Sequence, residues 1–409
     1  MKPEYIDRLH VENIGPFDKL DVAFSPNLNV LVGGNGSGKT SILRCITHCF
    51  TSDNREYFSN RFGAKMYTYF KKDGKKSKCG GIPYGIKNDL HYHQMVPSMY
   101  EVDSENDDAE RLMHTQYPYN ILAIGAHRYF DYVKIQGLRS EVNPADQRRS
   151  YSHNNPLYID NALLPDIKQW MVNRYFIVDK EWGKDLKNNW ETILNKIPAL
   201  APPNHKLSFA RVEEDLNPIF ALDDNECYLE ELSSGFKSVL SIVFSIVNWI
   251  EGVNEGEQRN IDKACGTVLI DEIEAHLHPA WQKTILSAVT QLFPNLQFIV
   301  TTHSPYVIAS AEKNQVILIP ALSKQMDLKP LEQDYSGWRI EYILKELMGA
   351  PDNYSSKLPE LLQSLNEAIN KNDKEGFYNY FNQLKGILNP DDSVLYNYEM
   401  RGAEIFPDK

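Results

Sequence analysis

A glycine-rich stretch that ends in a lysine and a threonine contains the first residues whose types and spacing could do chemistry. Residues 33–40 read Gly-Gly-Asn-Gly-Ser-Gly-Lys-Thr and follow the apolar run 28–32. Glycines let successive backbone N–H groups turn toward an anion, and the start of a helix attracts the same charge. The pattern predicts a phosphate-binding loop between a buried strand and a helix, and a chance match in a glycine-rich turn is the plainer alternative.

Each residue of this loop then has an expected role. Lys39 would reach the β- and γ-phosphates of ATP, and the Thr40 hydroxyl would bind Mg²⁺. The residues expected to bind ATP are Gly33, Asn35, Gly36, Ser37, Gly38, Lys39, Thr40 and Ser41.

Two carboxylates and a histidine follow further apolar runs. Asp271 and Glu272 come directly after the run 267–270, as at the carboxyl end of a buried parallel strand. Asp271 is placed to hold Mg²⁺, and Glu272 to orient or deprotonate the attacking water. His303 could hydrogen-bond the γ-phosphate, although a histidine after a strand is more often structural. The expected catalytic residues are Lys39, Glu272 and His303, and the expected metal ligands are Thr40 and Asp271.

A third motif precedes the strongly apolar helical run 239–250. Ser233, Ser234 and Gly235 would place hydroxyls and free N–H groups at a second helix start that binds an anion. An ordinary capped helix would look the same in isolation. Because a phosphate-binding loop occurs in the same chain, we expect these three residues to contact the nucleotide.

Composition limits the class of protein. The chain has 409 residues and a net charge of −12, so contact with nucleic acid would have to come from local basic patches. Five irregularly spaced cysteines favour reduced thiols and a cytoplasmic location. The start of the chain lacks the apolar segment of a signal peptide. The sequence contains no run of about 18 apolar residues, so we expect no membrane span.

The order of elements predicts a split core. We expect residues 1–50 and 205–320 to form the nucleotide-binding core, with residues 51–204 as an inserted α/β lobe and helical subdomain. The insertion is polar and tyrosine-rich, with a basic hairpin tip at 71–78. Residues 321–409 contain helical patterns and are predicted to form a C-terminal docking module.

Two pairs of residues leave alternatives open. His127 and Arg128 follow a core strand and could line the nucleotide site or be structural. His276 and His278 have the spacing of a metal pair, but no cysteine or third histidine lies nearby in the sequence. We therefore expect residues 275–282 to form a dimer-contact loop and not a zinc site.

Taken in order, the motifs at 33–40, 232–237, 269–272, 277–282 and 301–305 resemble those of ABC-type ATPases. Within this family, the motifs resemble those of the branch that includes RecF, the chromosome-maintenance (SMC) ATPases and the OLD-type ATPases. The runs Asp-Glu-Ile-Glu-Ala-His-Leu-His-Pro-Ala-Trp-Gln and Thr-Thr-His-Ser-Pro are most similar to stand-alone anti-phage defence ATPases of the Septu and retron-associated type.

This resemblance implies an α/β fold with a mixed sheet flanked by helices. It also implies ATP hydrolysis with Mg²⁺ in a head-to-tail homodimer or higher even-numbered oligomer, each ATP lying between one copy's phosphate-binding loop and the other's Ser233–Gly235. Two departures exist. The signature reads Leu-Ser-Ser-Gly-Phe where Leu-Ser-Gly-Gly-Gln is common, and no glutamine directly follows the strand at 119–124.

The resemblance further implies a regulatory ATPase that controls a separate nuclease subunit, of HNH type, in anti-phage defence. The tail lacks a Glu…Asp-x-Asp cluster, and Asp391-Asp392 resembles a helix cap, so no intrinsic nuclease is expected. The alternative is a DNA repair or recombination ATPase of the RecF type that clamps DNA directly. A transporter subunit is disfavoured by the long insertions, and no contact with a membrane is expected.

Overall fold

The computed structural model describes residues 4–50, 60–72, 74–81, 98–102, 109–112, 119–128, 132–140, 167–201, 205–320, 323–349, 357–390 and 392–406. The chain divides into two compact units, Met1–Gly349 and Ala350–Lys409. The polar segment 146–149 noted in the sequence lies outside the described residues, as does most of the acidic run 101–110.

A parallel sheet of five strands lies at the centre of the first unit. In spatial order the strands are β14 (Val316–Leu318), β3 (Leu28–Val32), β13 (Leu296–Thr301), β12 (Gly266–Ile270) and β8 (Ile121–Ile124). All four neighbouring pairs are parallel. Both faces of the sheet are covered, so its strands are continuous apolar runs without polar alternation. The carboxyl ends of β3, β12 and β13 therefore lie side by side at one edge.

A second, largely antiparallel sheet contains seven strands. In spatial order they are β15 (Gln325–Leu328), β2 (Phe17–Ala23), β1 (Tyr5–Ile14), β4 (Asn60–Lys72), β5 (Lys75–Gly81), β6 (Ser98–Val102) and β7 (Ala109–Leu112). Only the β15–β2 pair among these is parallel. Strands from the predicted insertion thus extend the N-terminal sheet, and the basic tip is the hairpin where Lys72 pairs with Lys75. A third, antiparallel sheet comprises β9 (Leu207–Val212), β10 (Pro218–Leu222) and β11 (Asn225–Tyr228).

Among the residues that the structure describes, eight α-helices of the first unit pack around the parallel sheet. They are α1 (Lys39–His48), α2 (Ile167–Ile177), α3 (Lys184–Lys196), α4 (Ser234–Val253), α5 (Pro279–Gln282), α6 (Ile285–Leu292), α7 (Pro305–Ile308) and α8 (Ile340–Glu346). One sheet face packs in the same apolar cluster as α4, and the other packs with α1 and the antiparallel sheet. This arrangement confirms the predicted α/β fold with a mixed sheet flanked by helices.

Most residues of helix α4 are buried. By length and hydropathy alone it could cross a membrane, but 89% of the relevant window is buried inside the protein. Near its carboxyl end Glu251 accepts hydrogen bonds from Arg174 (2.6 and 2.9 Å), Trp170 (3.2 Å) and Asn189 (3.0 Å). Glu251 and Arg174 are each 2% exposed, so this buried ion pair joins α4 to α2, and Asn189 joins it to α3.

The boundary before the C-terminal unit differs from the one expected at residue 320. Residues 323–349 belong to the first unit, because β15 pairs with β2 and α8 packs against α7. The second unit contains α9 (Lys357–Asn370), α10 (Lys374–Lys385) and α11 (Ser393–Ile405) around its own apolar core. Asp392 caps α11 by accepting from the Val394 N–H at 2.8 Å, as expected for a helix start.

Candidate functional site

The loop that we expect to bind phosphate contains two glycines at positions where a side chain would not fit. Gly38 ends the loop with φ +99° and directly precedes α1, and a Cβ there would lie 2.9 Å from the Phe17 ring. At Gly33 a Cβ would lie 2.7 Å from both the Ile319 carbonyl and the Ser37 hydroxyl. The loop therefore has no room for a side chain at either end. Asn35 and Gly36 lie exposed at its tip.

Lys39 folds back over this loop. Its Nζ donates to the carbonyls of Gly33 at 2.8 Å and Gly34 at 3.1 Å, and the residue is 5% exposed. Burial lowers the pKa of the Lys39 ammonium, and nearby carboxylates oppose that shift. Those carboxylates are Asp271, Glu274 and Glu272. The lysine thus lies between the loop and an acidic edge of the sheet.

Thr40 and Asp271 meet although 231 residues separate them in the sequence. The Thr40 hydroxyl lies 3.1 Å from each carboxylate oxygen of Asp271. Hydroxyl and carboxylate oxygens are ligands that Mg²⁺ accepts, and the ion commonly takes only one or two protein ligands and completes its shell with phosphate and water. The residues therefore fit a nucleotide-bound Mg²⁺. Among the described residues there is no group of three or more His, Cys, Asp or Glu that could hold a metal ion.

Thr301, the last residue of β13, braces the two carboxylate residues. Its hydroxyl donates to Asp271 Oδ1 at 2.5 Å and accepts from the Glu272 N–H at 2.8 Å. Glu272 itself has φ +47°, a left-handed conformation that is rare for a residue with a side chain. Such strain persists only where the surroundings enforce it, and it is common at active sites. The sequence predicted no role for Thr301, because a threonine at a strand end carries no distinctive signal.

The backbone of His303 is bonded to Glu274, a carboxylate for which the sequence predicted no role. The backbone N–H of His303 donates to Glu274 Oε1 at 2.5 Å, while Glu274 Oε2 is buried with no hydrogen-bond partner. The following Ser304 donates to Gln282 Oε1 at 2.5 Å, and Gln282 in turn donates to the Leu277 carbonyl at 2.7 Å. The His303 loop is thereby joined to the segment 274–282. The only available signal for Glu274 was its position two residues after Glu272.

The serines of the third motif lie elsewhere on the surface. Ser233 is the N-cap of α4, Ser234 is its first residue, and both side chains are exposed. Gly235 is buried, and a Cβ at this position would lie 2.6 Å from the Trp281 ring and 3.1 Å from the His276 carbonyl. The glycine therefore has a packing role that the sequence did not indicate. The free end of α4 consequently lies beside the segment 274–282.

The remaining candidates have structural partners. Arg128 is 2% exposed and bonds to backbone carbonyls, so it does not line a nucleotide pocket, whereas His127 is exposed. His278 caps α5, with its Nδ1 accepting from the Ala280 N–H at 3.3 Å. His276 is exposed and has φ +68°. The expected dimer-contact loop is thus ordered by its own backbone and capping bonds.

The chain resembles known proteins along most of its length. Residues 5–321 match the family described as the RecF/RecN/SMC N terminal domain. The chain is 27% identical over 416 residues to the Septu protein PtuA of Bacillus thuringiensis, which covers 98% of each protein. It is 26% identical to the retron Ec83 probable ATPase of Escherichia coli, over 87% of this chain and 79% of that protein. A solved SMC head bound to the C-terminal winged-helix domain of ScpA aligns with a TM-score of 0.46 and 16% identity, over 81% of this chain and 99% of that one.

Proposed function

The chain belongs to the RecF/RecN/SMC N-terminal domain family, and on that basis we propose that it is an ATPase whose nucleotide-dependent dimerisation regulates a separate effector. Its relatives confirm the expected resemblance to ABC-type ATPases of the Septu and retron type, and they support ATPase activity. The finer parts of the proposal concern the roles of individual residues, the dimer and the effector.

The observation that carries the proposal is the meeting of Thr40 and Asp271 at the edge of the parallel sheet. Mg²⁺ held there with the triphosphate would neutralise charge that develops on the phosphates. The loop N–H groups and Lys39 would bind the β- and γ-phosphates, because the Lys39 ammonium already lies against Gly33 of the loop. We assign the positioning of the attacking water to Glu272 and the contact with the γ-phosphate to His303.

The exposed start of α4 supports a composite site. Ser233 and Ser234 present hydroxyls and free helix N–H groups to the outside, so they suit the phosphates of a second copy's ATP. In a head-to-tail dimer each ATP would then lie between one copy's residues 33–41 and the other's residues 233–235. ATP would hold the two copies together, and hydrolysis would release them.

The proposed biological role is anti-phage defence in the cytoplasm. It follows the names of the relatives, one a Septu protein and one a retron ATPase. We propose that the dimer controls a separate nuclease subunit of HNH type and that the chain itself cleaves no DNA. The alternative role, a RecF-like clamp that binds DNA directly, predicts hydrolysis that is stimulated by DNA.

One pair of variants tests this proposal. Glu272→Gln keeps the side-chain shape but lacks the carboxylate, so it should bind ATP and accumulate as a dimer in light scattering after gel filtration. Lys39→Ala should bind no ATP and remain monomeric in the same assay, because the phosphate charge loses its cation. Normal turnover by Glu272→Gln would contradict the role of that residue. Cleavage of DNA by the purified chain, or turnover that depends on DNA, would contradict the effector model.

A further inference from the structure

Arg128 bonds to three parts of the first unit at once. Its Nε donates to the Gly125 carbonyl at 2.9 Å, and Nη1 donates to the Ser238 hydroxyl at 3.1 Å. Its Nη2 donates to the carbonyls of Asp271 at 2.5 Å and Glu272 at 3.0 Å. The guanidinium thus uses four of its five N–H donors, which is what a buried cation requires. One rigid planar group therefore connects the end of β8, the turn after β12 and helix α4.

The two far ends of this connection belong to different functional parts. The carbonyls of Asp271 and Glu272 form the turn whose left-handed residue is Glu272. Ser238 lies one helical turn after the exposed Ser234 of α4, and its hydroxyl also donates to the Ala275 carbonyl at 3.0 Å. If the turn moves, either the start of α4 moves with it or a hydrogen bond to the buried guanidinium breaks. Breaking such a bond is costly because it leaves a buried charge without a partner.

We propose that Arg128 is a positioning residue that couples the two ATP sites of the dimer. This inference rests on the proposed head-to-tail dimer, in which the turn of one copy faces its own ATP and the start of α4 faces the other copy's ATP. Binding of Mg²⁺–ATP at one site shifts the Asp271–Glu272 turn, and Arg128 passes that shift through Ser238 to the helix start at the second site. Occupancy of one site thereby prepares the other.

The coupling can be cut at a single atom. Ser238→Ala removes the hydroxyl that joins Arg128 to α4, together with the bond from that hydroxyl to the Ala275 carbonyl, and Arg128 keeps its three backbone acceptors. The matched control is Ser241→Ala, on the same helix and equally buried, because the Ser241 hydroxyl has no hydrogen-bond partner in the structure. Both variants delete one buried oxygen, but only the first breaks the connection.

The first measurement is hydrolysis rate against ATP concentration. The Hill coefficient of two coupled sites lies between 1 and 2, so we expect a value clearly above 1 in the wild type and in Ser241→Ala, falling toward 1 in Ser238→Ala. The affinity of dilute monomer for a fluorescent ATP analogue should stay within about twofold in all three proteins, since no phosphate contact changes. A coefficient of 1 in the wild type, or equal coefficients in the two variants, would overturn the coupling.

The second measurement separates this inference from the proposed dimer. In monomer diluted below the dimerisation range, Mg²⁺–ATP should slow hydrogen exchange at the start of α4 in the wild type and in Ser241→Ala. Ser238→Ala should lose that response. If the wild type never dimerises yet shows the response, the dimer fails and with it the coupling of two sites, while the link within one copy stands. If the wild type dimerises without the response, Arg128 is not the connection.

Discussion

Loss of the Thr301 hydroxyl is a small change that should strongly disturb the positions of Asp271 and Glu272. Thr301→Val keeps the shape and β-branching of the side chain and replaces one oxygen with a methyl group. Thr301 is fully buried and Asp271 is 6% exposed, so solvent cannot easily replace the lost bonds. The bond to Asp271 Oδ1 and the bond from the Glu272 N–H both disappear.

The expected cost follows from these two bonds. A hydrogen bond to a charged group contributes roughly 1.5–3 kcal/mol, and a buried N–H without a partner costs about 1–3 kcal/mol. The extra methyl group regains about 1 kcal/mol of apolar burial. We therefore expect a net loss of about 1.5–5 kcal/mol in the free energy of unfolding. The turnover number should fall on the order of 100-fold, because the left-handed turn at Glu272 loses one of the bonds that position it.

The assays are guanidinium unfolding and steady-state hydrolysis of ATP. Thr290→Val is the matched control, since that hydroxyl donates only to carbonyls of its own helix, Leu286 at 2.9 Å and Ser287 at 3.3 Å. It should change stability by less than about 0.5 kcal/mol and leave turnover unchanged. If both variants have the same stability and turnover, the Thr301 hydroxyl does not brace the site.

Two further predictions concern packing and metal. Gly235→Ala should destabilise the protein by about 1–3 kcal/mol, because the new Cβ would lie 2.6 Å from the Trp281 ring. Thermal or denaturant unfolding measures this loss, and an unchanged unfolding midpoint would show that α4 can move at no cost. Removal of Mg²⁺ with EDTA should abolish hydrolysis while leaving the folded state intact by circular dichroism, since Thr40 and Asp271 remain hydrogen-bonded to each other. Hydrolysis that persists in EDTA would rule out their role as metal ligands.

The sequence predicted those features that depend on residues close together along the chain. The glycines of the phosphate-binding loop, the apolar runs of β3, β12 and β13, and the cap of α11 each follow from local conformational preferences. The order of these motifs also indicated the fold class and the family, because each motif carries a mechanism that requires its flanking elements.

The end of the first unit could not be placed correctly from local pattern. Residues 323–349 read as the beginning of a helical tail, yet β15 pairs with β2, about 300 positions earlier in the sequence. A short strand at the edge of a sheet has little periodicity of its own, and its partner is decided by the tertiary structure. The same holds for the insertion, whose strands extend the N-terminal sheet.

The amino-acid sequence by itself determined which chemical groups are available and the local backbone that carries them, because loop, strand and cap preferences act within a few residues. Only the tertiary structure decided which of those groups meet. It placed Asp271 between Thr40 and Thr301, buried Arg128 beneath the turn at Glu272, and set Gly235 against Trp281. These contacts join residues 30 to 231 positions apart, and contacts at such separations are determined by packing and by the need to satisfy buried polar groups.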